Sequence, residues 1–383
     1  MTTPLLFTPM QLRDVTLKNR VVVAPMHQYS AVKGFATDWH LMNAGRYAAG
    51  GAGLVFMEST KVERRGCGTV GDLGLWDDAF VPGLKRCVDF IKGHGAVAGI
   101  QLGHSGRKAR RFRPWEGGGP LEPSPEIDDW DAWELVAPSA LAAPNSDPLP
   151  RALERSEIPE LIEHWVQAAR RANEAGFDVL EIHGAHGYLL HEFLSPFSNQ
   201  RSDEYGGSEL NRFRLVIEIA EAIRTVWPAA KPLFLRLSCE DNVGFGPEQS
   251  VALAKLVKPK GVDVIDCSSG GMTSSPVGEV GYGYQVPYAE KIRAEADIMT
   301  MAVGLIVHAD QAEAILQKGQ ADLIALAREI LYNPNWPMDA AQKLGLDREF
   351  ALVPPPQAYW LAKRAASRNP IVPSTYGRGL ARD

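Results

Sequence analysis

The stretch EIHGAHGYL, residues 181–189, holds two imidazoles three positions apart, His183 and His186, with the phenol of Tyr188 directly behind them. Three chemistries suit such a cluster. The histidines could ligate a metal, with His191, Glu181 or Glu192 as further ligands; they could be satisfied core residues; or they could donate hydrogen bonds to an oxygen on which negative charge collects. A structural zinc site wants four closed ligands, which this spacing alone does not supply, and no metal is expected. On a straight strand, residues i and i+3 face opposite ways, so both rings converge only if the chain turns after His183. Gly184 permits that turn, and the apolar residues beyond Tyr188 suggest a short helix.

Positioning such a cluster requires a scaffold, and the chain repeats one. Short apolar, β-branched runs recur at 21–26 (VVVAPM), 54–58 (LVFME), 97–103 (VAGIQLG), 178–184 (DVLEIHG), 233–238 (LFLRLS), 262–268 (VDVIDCS), 298–304 (IMTMAVG) and 322–328 (DLIALAR). Continuous apolar strands of this kind belong to a parallel sheet buried on both faces. Between them lie stretches of helical period, among them FVPGLKRCVDFIKGHG, IPELIEHWVQAARRANEAG and ELNRFRLVIEIAEAIRTVW, several ending in the glycine that closes a helix without a Cβ penalty. Eight such units predict an α/β fold, one (β/α)8 TIM barrel spanning residues 1–383. A doubly wound sheet is the alternative, and no GxGxxG follows the first strand to support it. The extra length falls in an excursion over the barrel end, residues 105–155, rich in Pro, Gly and Trp, and in a C-terminal extension, residues 350–383.

Composition narrows the classes further. The chain has 383 residues, 45% of them hydrophobic, and a formal charge of −6, which argues against a nucleic-acid partner. Its four cysteines, Cys67, Cys87, Cys239 and Cys267, form no CxxC pair, so neither a zinc ribbon nor an iron–sulfur cluster is indicated. No stretch approaches the roughly 18–20 apolar residues of a membrane span, and the N-terminus lacks a signal-peptide pattern, so no membrane partner and a cytoplasmic location are expected.

Barrels of this type place their active site at the C-terminal ends of the strands. Read in order, those ends carry His27, Ser59, Gln101 and His104, His183 and His186, Arg236, Ser268 and Ser269, Gly304 and finally Arg328, which closes the eighth run. The set is rich in donors and cations and poor in carboxylates, so an electron-rich ligand is implied. Gly304 and the Ala327–Arg328 pair lie after strands seven and eight, where barrels hold a phosphate.

At this point five stretches become recognisable: LKNRVVVAPMHQYS, GIQLGHSGRKA, EIHGAHGYLLHEFLSPFSNQRSDEYGGS, VDVIDCSSG and ADLIALAREIL. Together they resemble the old yellow enzyme family, the FMN-dependent ene-reductases, and within it the bacterial branch that contains the xenobiotic reductases. The resemblance implies FMN as cofactor, NADPH or NADH as electron donor, and hydride transfer to the activated C=C bond of an α,β-unsaturated carbonyl or nitro compound.

Residue by residue, the resemblance puts Ala24, Pro25, Met26, His27 and Ser59 along the flavin ring and Gln101 at its pyrimidine edge. Arg236 falls near the ring position where negative charge accumulates on reduction, and Gly304, Ala327 and Arg328 fall at the phosphate. The family usually has glycine where Ala327 stands. His183 and His186 match the pair that binds the substrate carbonyl, Tyr188 the proton donor, and Tyr29 a substrate contact. His27 is a departure from the branch's cysteine, and as a histidine it is expected to make turnover or reduction pH-dependent through the flavin edge or substrate. The pair Tyr359–Trp360 resembles a segment that enters a neighbouring subunit's site, which implies a homodimer or larger homo-oligomer.

Two other classes stand beside this reading. One is a cofactor-free barrel lyase or isomerase using Arg236 and Arg328 on a phosphorylated substrate; the residues above offer it no obvious general base. The other is a metal-dependent hydrolase. Within the flavin family a dienoyl-CoA-type reductase is the neighbouring alternative, and the clustered cysteines of its iron–sulfur domain are missing here.

Overall fold

A strand whose two faces are both apolar must be covered on both, and closing the sheet on itself achieves this for every strand at once. The computed structural model describes residues 3–125, 127–144, 148–347 and 349–366. Along the chain, β1 (Met10–Leu12) and β2 (Val15–Leu17) form an antiparallel hairpin; β3 (Val21–Val23), β4 (Leu54–Lys61) and β5 (Val97–Gly103) begin a parallel barrel; β6 (Val136–Ala137) and β7 (Arg151–Ala152) pair within the excursion; and β8 (Val179–Gly184), β9 (Leu233–Ser238), β10 (Val264–Ser268), β11 (Met299–Ala302) and β12 (Leu323–Leu326) complete the barrel. The circuit runs β3-β4-β5-β8-β9-β10-β11-β12 and back to β3. Seven of the eight runs read from the sequence contain a barrel strand whole and the second, 54–58, is the start of β4, so the predicted eightfold barrel is the observed one.

Helices wrap the outside: α1 (Asp38–Ala49), α2 (Val81–Gly93), α3 (Ile158–Glu174), α4 (Leu189–Leu194), α5 (Glu209–Arg224), α6 (Pro247–Val257), α7 (Val286–Ala296), α8 (Ala309–Gln317), α9 (Arg328–Tyr332), α10 (Trp336–Lys343) and α11 (Pro355–Ala365). The short helix expected beyond Tyr188 is α4. Boundaries differ from the sequence reading: β4 runs on to Lys61, so Ser59 lies within it, and β12 ends at Leu326, so Arg328 opens α9 rather than closing a strand. Ala327 leaves extended geometry, with φ −119° and ψ −92°, and this ends the strand before the arginine. Among the described residues no helix is long and apolar enough to cross a membrane.

Two apolar layers follow from strand parity. On β8, Leu180 and Ile182 face the helices while Val179 joins the barrel interior with Val22, Leu54, Phe56, Phe234 and Val264. Leu12 and Leu17 of the β1–β2 hairpin plug the lower end of that interior. Phe56 and Phe234 meet there at 5.8 Å between ring centroids, and burying one such side chain stabilises the barrel by about 1.5–3 kcal/mol. The same parity raises the chemistry above this floor: Glu181 and His183 on β8, Arg236 on β9, and Asp266 and Ser268 on β10 alternate with the outward residues and so share the interior with Val179.

Candidate active site

The turn after β8 brings the predicted cluster together. His183 and His186 have ring centroids 5.2 Å apart at an interplanar angle of 79°, and His183 and Tyr188 are 5.0 Å apart at 71°. Gly184 is not the residue that turns. The left-handed backbone falls on His186 (φ 62°) and Gly187 (φ 69°), whereas Gly184 is needed because a Cβ there would lie 3.1 Å from the Arg236 carbonyl oxygen. His186 is held in its unusual conformation by Ser238, whose Oγ accepts its backbone N–H at 2.8 Å, and by Lys108, whose Nζ donates to its carbonyl at 2.7 Å.

Hydrogen bonds assign the proton positions. The Ala185 N–H donates to His183 Nδ1 at 3.3 Å, which leaves Nε2 as the proton-bearing nitrogen of that ring. His186 Nε2 lies 2.8 Å from Ser268 Oγ, which also accepts from Gln285 at 3.3 Å; with the Ser268 hydroxyl donating to Nε2, Nδ1 is that ring's donor. Burial, reinforced by the other imidazole and Arg236, holds His183 well below the usual histidine range. Burial, then Arg236 and Lys108, do the same for His186. Both rings are therefore neutral donors. Desolvation pushes the Tyr188 phenol well above its ordinary range, so it keeps its proton.

Beneath the rings lies a charged layer that the sequence reading missed. Arg236 Nε stands 3.2 Å from Asp266 Oδ2, both residues being buried, and the Gln101 amide donates to Glu181 Oε1 at 2.8 Å. The strand ends are thus not poor in carboxylates; Glu181 and Asp266 sit two residues before His183 and Ser268, and counting by twos back from those residues would have found them. Burial pushes both carboxyls up, Asp266 also raising Glu181, while Arg236 pulls them down. Arg236 Nε and Asp266 Oδ2 face each other as an ion pair, while Asp266 Oδ1 and Glu181 Oε2 are buried without a hydrogen-bond partner among the described residues. Unsatisfied buried groups of this kind await a ligand.

A third group is built by a bulge. Between Met57 and Ser59 the β4–β5 register shifts by one residue, so Ser59 pairs with Gln101 and Glu58 is left unpaired. Glu58 turns to His40 Nε2 at 3.0 Å and to the Gln28 N–H at 2.8 Å, and His27 Nδ1 lies 3.6 Å from its other face. Burial pushes the Glu58 carboxyl up, but His27 and His40 outweigh it and hold it at about 2. On its far side His27 Nε2 meets the Tyr188 hydroxyl at 3.3 Å, and its ring stacks on Tyr29 at 5.2 Å. The bulge also aims Lys61 inward, its Nζ 3.2 Å from Ser59 Oγ and 5.2 Å above the Tyr188 ring.

The rest of the predicted set divides. Arg236, Ser268, Ser269, Gly304, Ala327 and Arg328 line, with His186, one cavity of about 760 Å³, inside the roughly 300–1,000 Å³ range of small-molecule sites. Gly304 has φ 110°, and a Cβ there would lie 2.6 Å from Gln285 Oε1. His104 does not join; its two nitrogens are taken by Glu63 at 2.9 Å and the Gly106 N–H at 3.0 Å. Ala24, Pro25 and Met26 follow β3 towards His27, and Trp115 of the excursion meets Tyr29 edge-on at 5.6 Å. Trp360 lies on α11, 66% exposed, its ring 5.2 Å from that of Tyr359; the extension beyond residue 366 lies outside the described residues.

This donor set fits a flavin. A pyrimidine edge that alternates carbonyl acceptors with an N–H donor matches the Arg236 guanidinium, which lines the cavity, beside an amide whose nitrogen is committed to Glu181 and whose oxygen is left to accept. Comparison with known proteins agrees. Residues 5–347 match the family described as NADH:flavin oxidoreductase / NADH oxidase. An NADPH dehydrogenase of Geobacillus sp. (strain WCH70) is 46% identical over 345 residues, 89% of this chain and 95% of the relative. The old yellow enzyme homologue from Zymomonas mobilis superposes with a TM-score of 0.73 at 28% identity, over 92% of this chain and 98% of that one. A 2-naphthoyl-CoA reductase superposes at 0.79 with 25% identity over 90% of this chain, which spans about half, 53%, of that longer protein. Barrel, donor set and sequence kinship converge: the chain belongs to the NADH:flavin oxidoreductase family of old yellow enzymes, with FMN as its cofactor and a nicotinamide nucleotide as its electron donor.

Proposed function

We propose that the protein reduces the activated C=C bond of α,β-unsaturated carbonyl or nitro compounds at the expense of NADPH or NADH. One observation carries the reading: the His183 ring packs edge-on against both the second imidazole and the phenol, 5.2 Å from His186 and 5.0 Å from Tyr188. FMN, reduced by the nicotinamide, supplies hydride to the β-carbon of the acceptor. The chain does the rest. His183 Nε2–H and His186 Nδ1–H donate to the acceptor oxygen and stabilise the enolate charge that grows there, each contributing about 3 kcal/mol by analogy with an oxyanion-hole donor. Tyr188 then delivers its proton to the α-carbon.

Arg236 and Gln101 hold the polar edge of the ring, and Ala24, Pro25, Met26 and Ser59 hold its flank. Gly304, Ala327 and Arg328 take the phosphate, where a charge-assisted arginine contact suits a dianion. Tyr29 walls the acceptor. Tyr359 and Trp360, both largely exposed in the single chain, reach a second copy and bring Trp360 to its site as a rigid wall, in a cytoplasmic homodimer or larger homo-oligomer. The test is optical. Purified protein is yellow, bleaches anaerobically with NADPH or NADH, and regains colour on adding cyclohexenone; a colourless protein, or one that cyclohexenone leaves bleached, contradicts the proposal.

A further inference from the structure

A tyrosine that gives up its proton once per turnover must be resupplied. The Tyr188 hydroxyl has a hydrogen-bond partner placed to do this. His27 is that partner, with Nε2 3.3 Å from the Tyr188 hydroxyl and Nδ1 3.6 Å from Glu58, and its side chain keeps 16% of its surface in solvent. Behind it, Glu58 is fixed rather than free. The Thr37 N–H donates to His40 Nδ1 at 3.0 Å, which makes Nε2 the nitrogen that donates to Glu58 at 3.0 Å. The carboxylate is thereby pinned with its second oxygen towards His27.

We propose that His27 is the proton relay of Tyr188, passing a solvent proton to the phenol through Nε2 while Glu58 balances the imidazolium charge. This rests on the reading of Tyr188 as the donor to carbon. In the step, hydride arrives at the β-carbon and the π electron pair of the acceptor forms the new α-carbon–hydrogen bond with the Tyr188 proton. The electrons of the broken O–H bond stay on the phenol oxygen, which takes the proton from His27 Nε2. Neutral His27, its Nδ1–H facing Glu58, regains a proton from water. The other titratable groups around the pair include Tyr29 on the same segment as His27, Lys61 on β4, Lys108 over the Tyr188 ring at 5.9 Å, Asp72 and Arg111, and His183 and His186 at the end of β8. Both of these histidines are held neutral by burial, so neither competes as the acid.

The FMN-loaded protein tests this by stopped flow, with bleaching by NADPH and recovery with cyclohexenone recorded separately. His27→Gln slows recovery by about 100-fold, the lower range for a general acid, and slows bleaching far less. Imidazole in the buffer restores part of the rate. His27→Cys serves as the second variant if the first does not fold. In the flavin-free protein, Tyr188→Phe shifts the ¹⁵N resonance of His27 Nε2. Recovery at the wild-type rate and solvent isotope effect in His27→Gln overturns the relay and leaves Tyr188 as donor. Equal slowing of both half-reactions overturns it in favour of a cofactor contact, and an unmoved ¹⁵N resonance overturns the hydrogen bond itself. A Tyr188→Phe variant that recovers at the wild-type rate overturns the tyrosine reading first, and the relay with it.

Discussion

The two ends of the site are built on different principles. After β8, each functional group has a second partner: Ala185 on His183, Ser268 and Ser238 on His186, and His27 on Tyr188. After β12, Arg328 lines the wide cavity as an exposed side chain. Bond-making needs donors preorganised to within a fraction of an ångström, because reorganising them during the reaction would add to its barrier. Holding a phosphate needs charge and backbone at close range, and tolerates mobile side chains.

Changes at the preorganised end should therefore cost more than changes at the open end. Arg236→Met is the severest test, since it leaves Asp266 and Glu181 buried without their cation; a loss of about 3–5 kcal/mol in stability and failure to retain FMN are expected, read by denaturant unfolding and the visible spectrum. His183→Ala removes one oxygen donor and should lower kcat/KM for cyclohexenone by about 10²–10³-fold, with bleaching by NADPH changed far less.

Glu58 links the site to acid stability. Its folded pKa lies below the ordinary 4.5, so its contribution is present above that value and is lost as pH falls towards about 2. In Glu58→Gln that contribution, on the order of 3 kcal/mol, is absent, and the Tm difference from wild type narrows across this window. Arg328→Met is the mildest. It should weaken FMN binding by about 1.5–3 kcal/mol, or about 10–100-fold in Kd, and leave kcat at saturating FMN near wild type.

How far the molecule could be read beforehand follows the same division between local and non-local causes. The barrel strands were legible because burial on both faces writes itself as a run of β-branched residues, and each run overlaps its strand. The His183–His186–Tyr188 cluster was legible because it lies within one short turn. Glu58 and Lys61 were not, because the bulge that aims them depends on how β4 registers against β5, forty residues away. The hairpin that plugs the floor is made of strands of three residues each, too short for any period to show. Helix α1 escaped because His40 and Tyr47, two of its buried positions, carry polar atoms that break the apolar stripe. Gly184 was assigned a turn that His186 makes, since a close approach of β9 and a left-handed backbone both ask for glycine and the sequence alone does not say which.

The central claim is that reducing equivalents pass from the nicotinamide to a carbon–carbon double bond under two neutral imidazoles and a phenol. Counting products under strict exclusion of oxygen tests it most directly, by measuring cyclohexanone formed from cyclohexenone for each NADPH consumed. The account predicts a one-to-one ratio; NADPH consumption that needs oxygen and yields no cyclohexanone would contradict it.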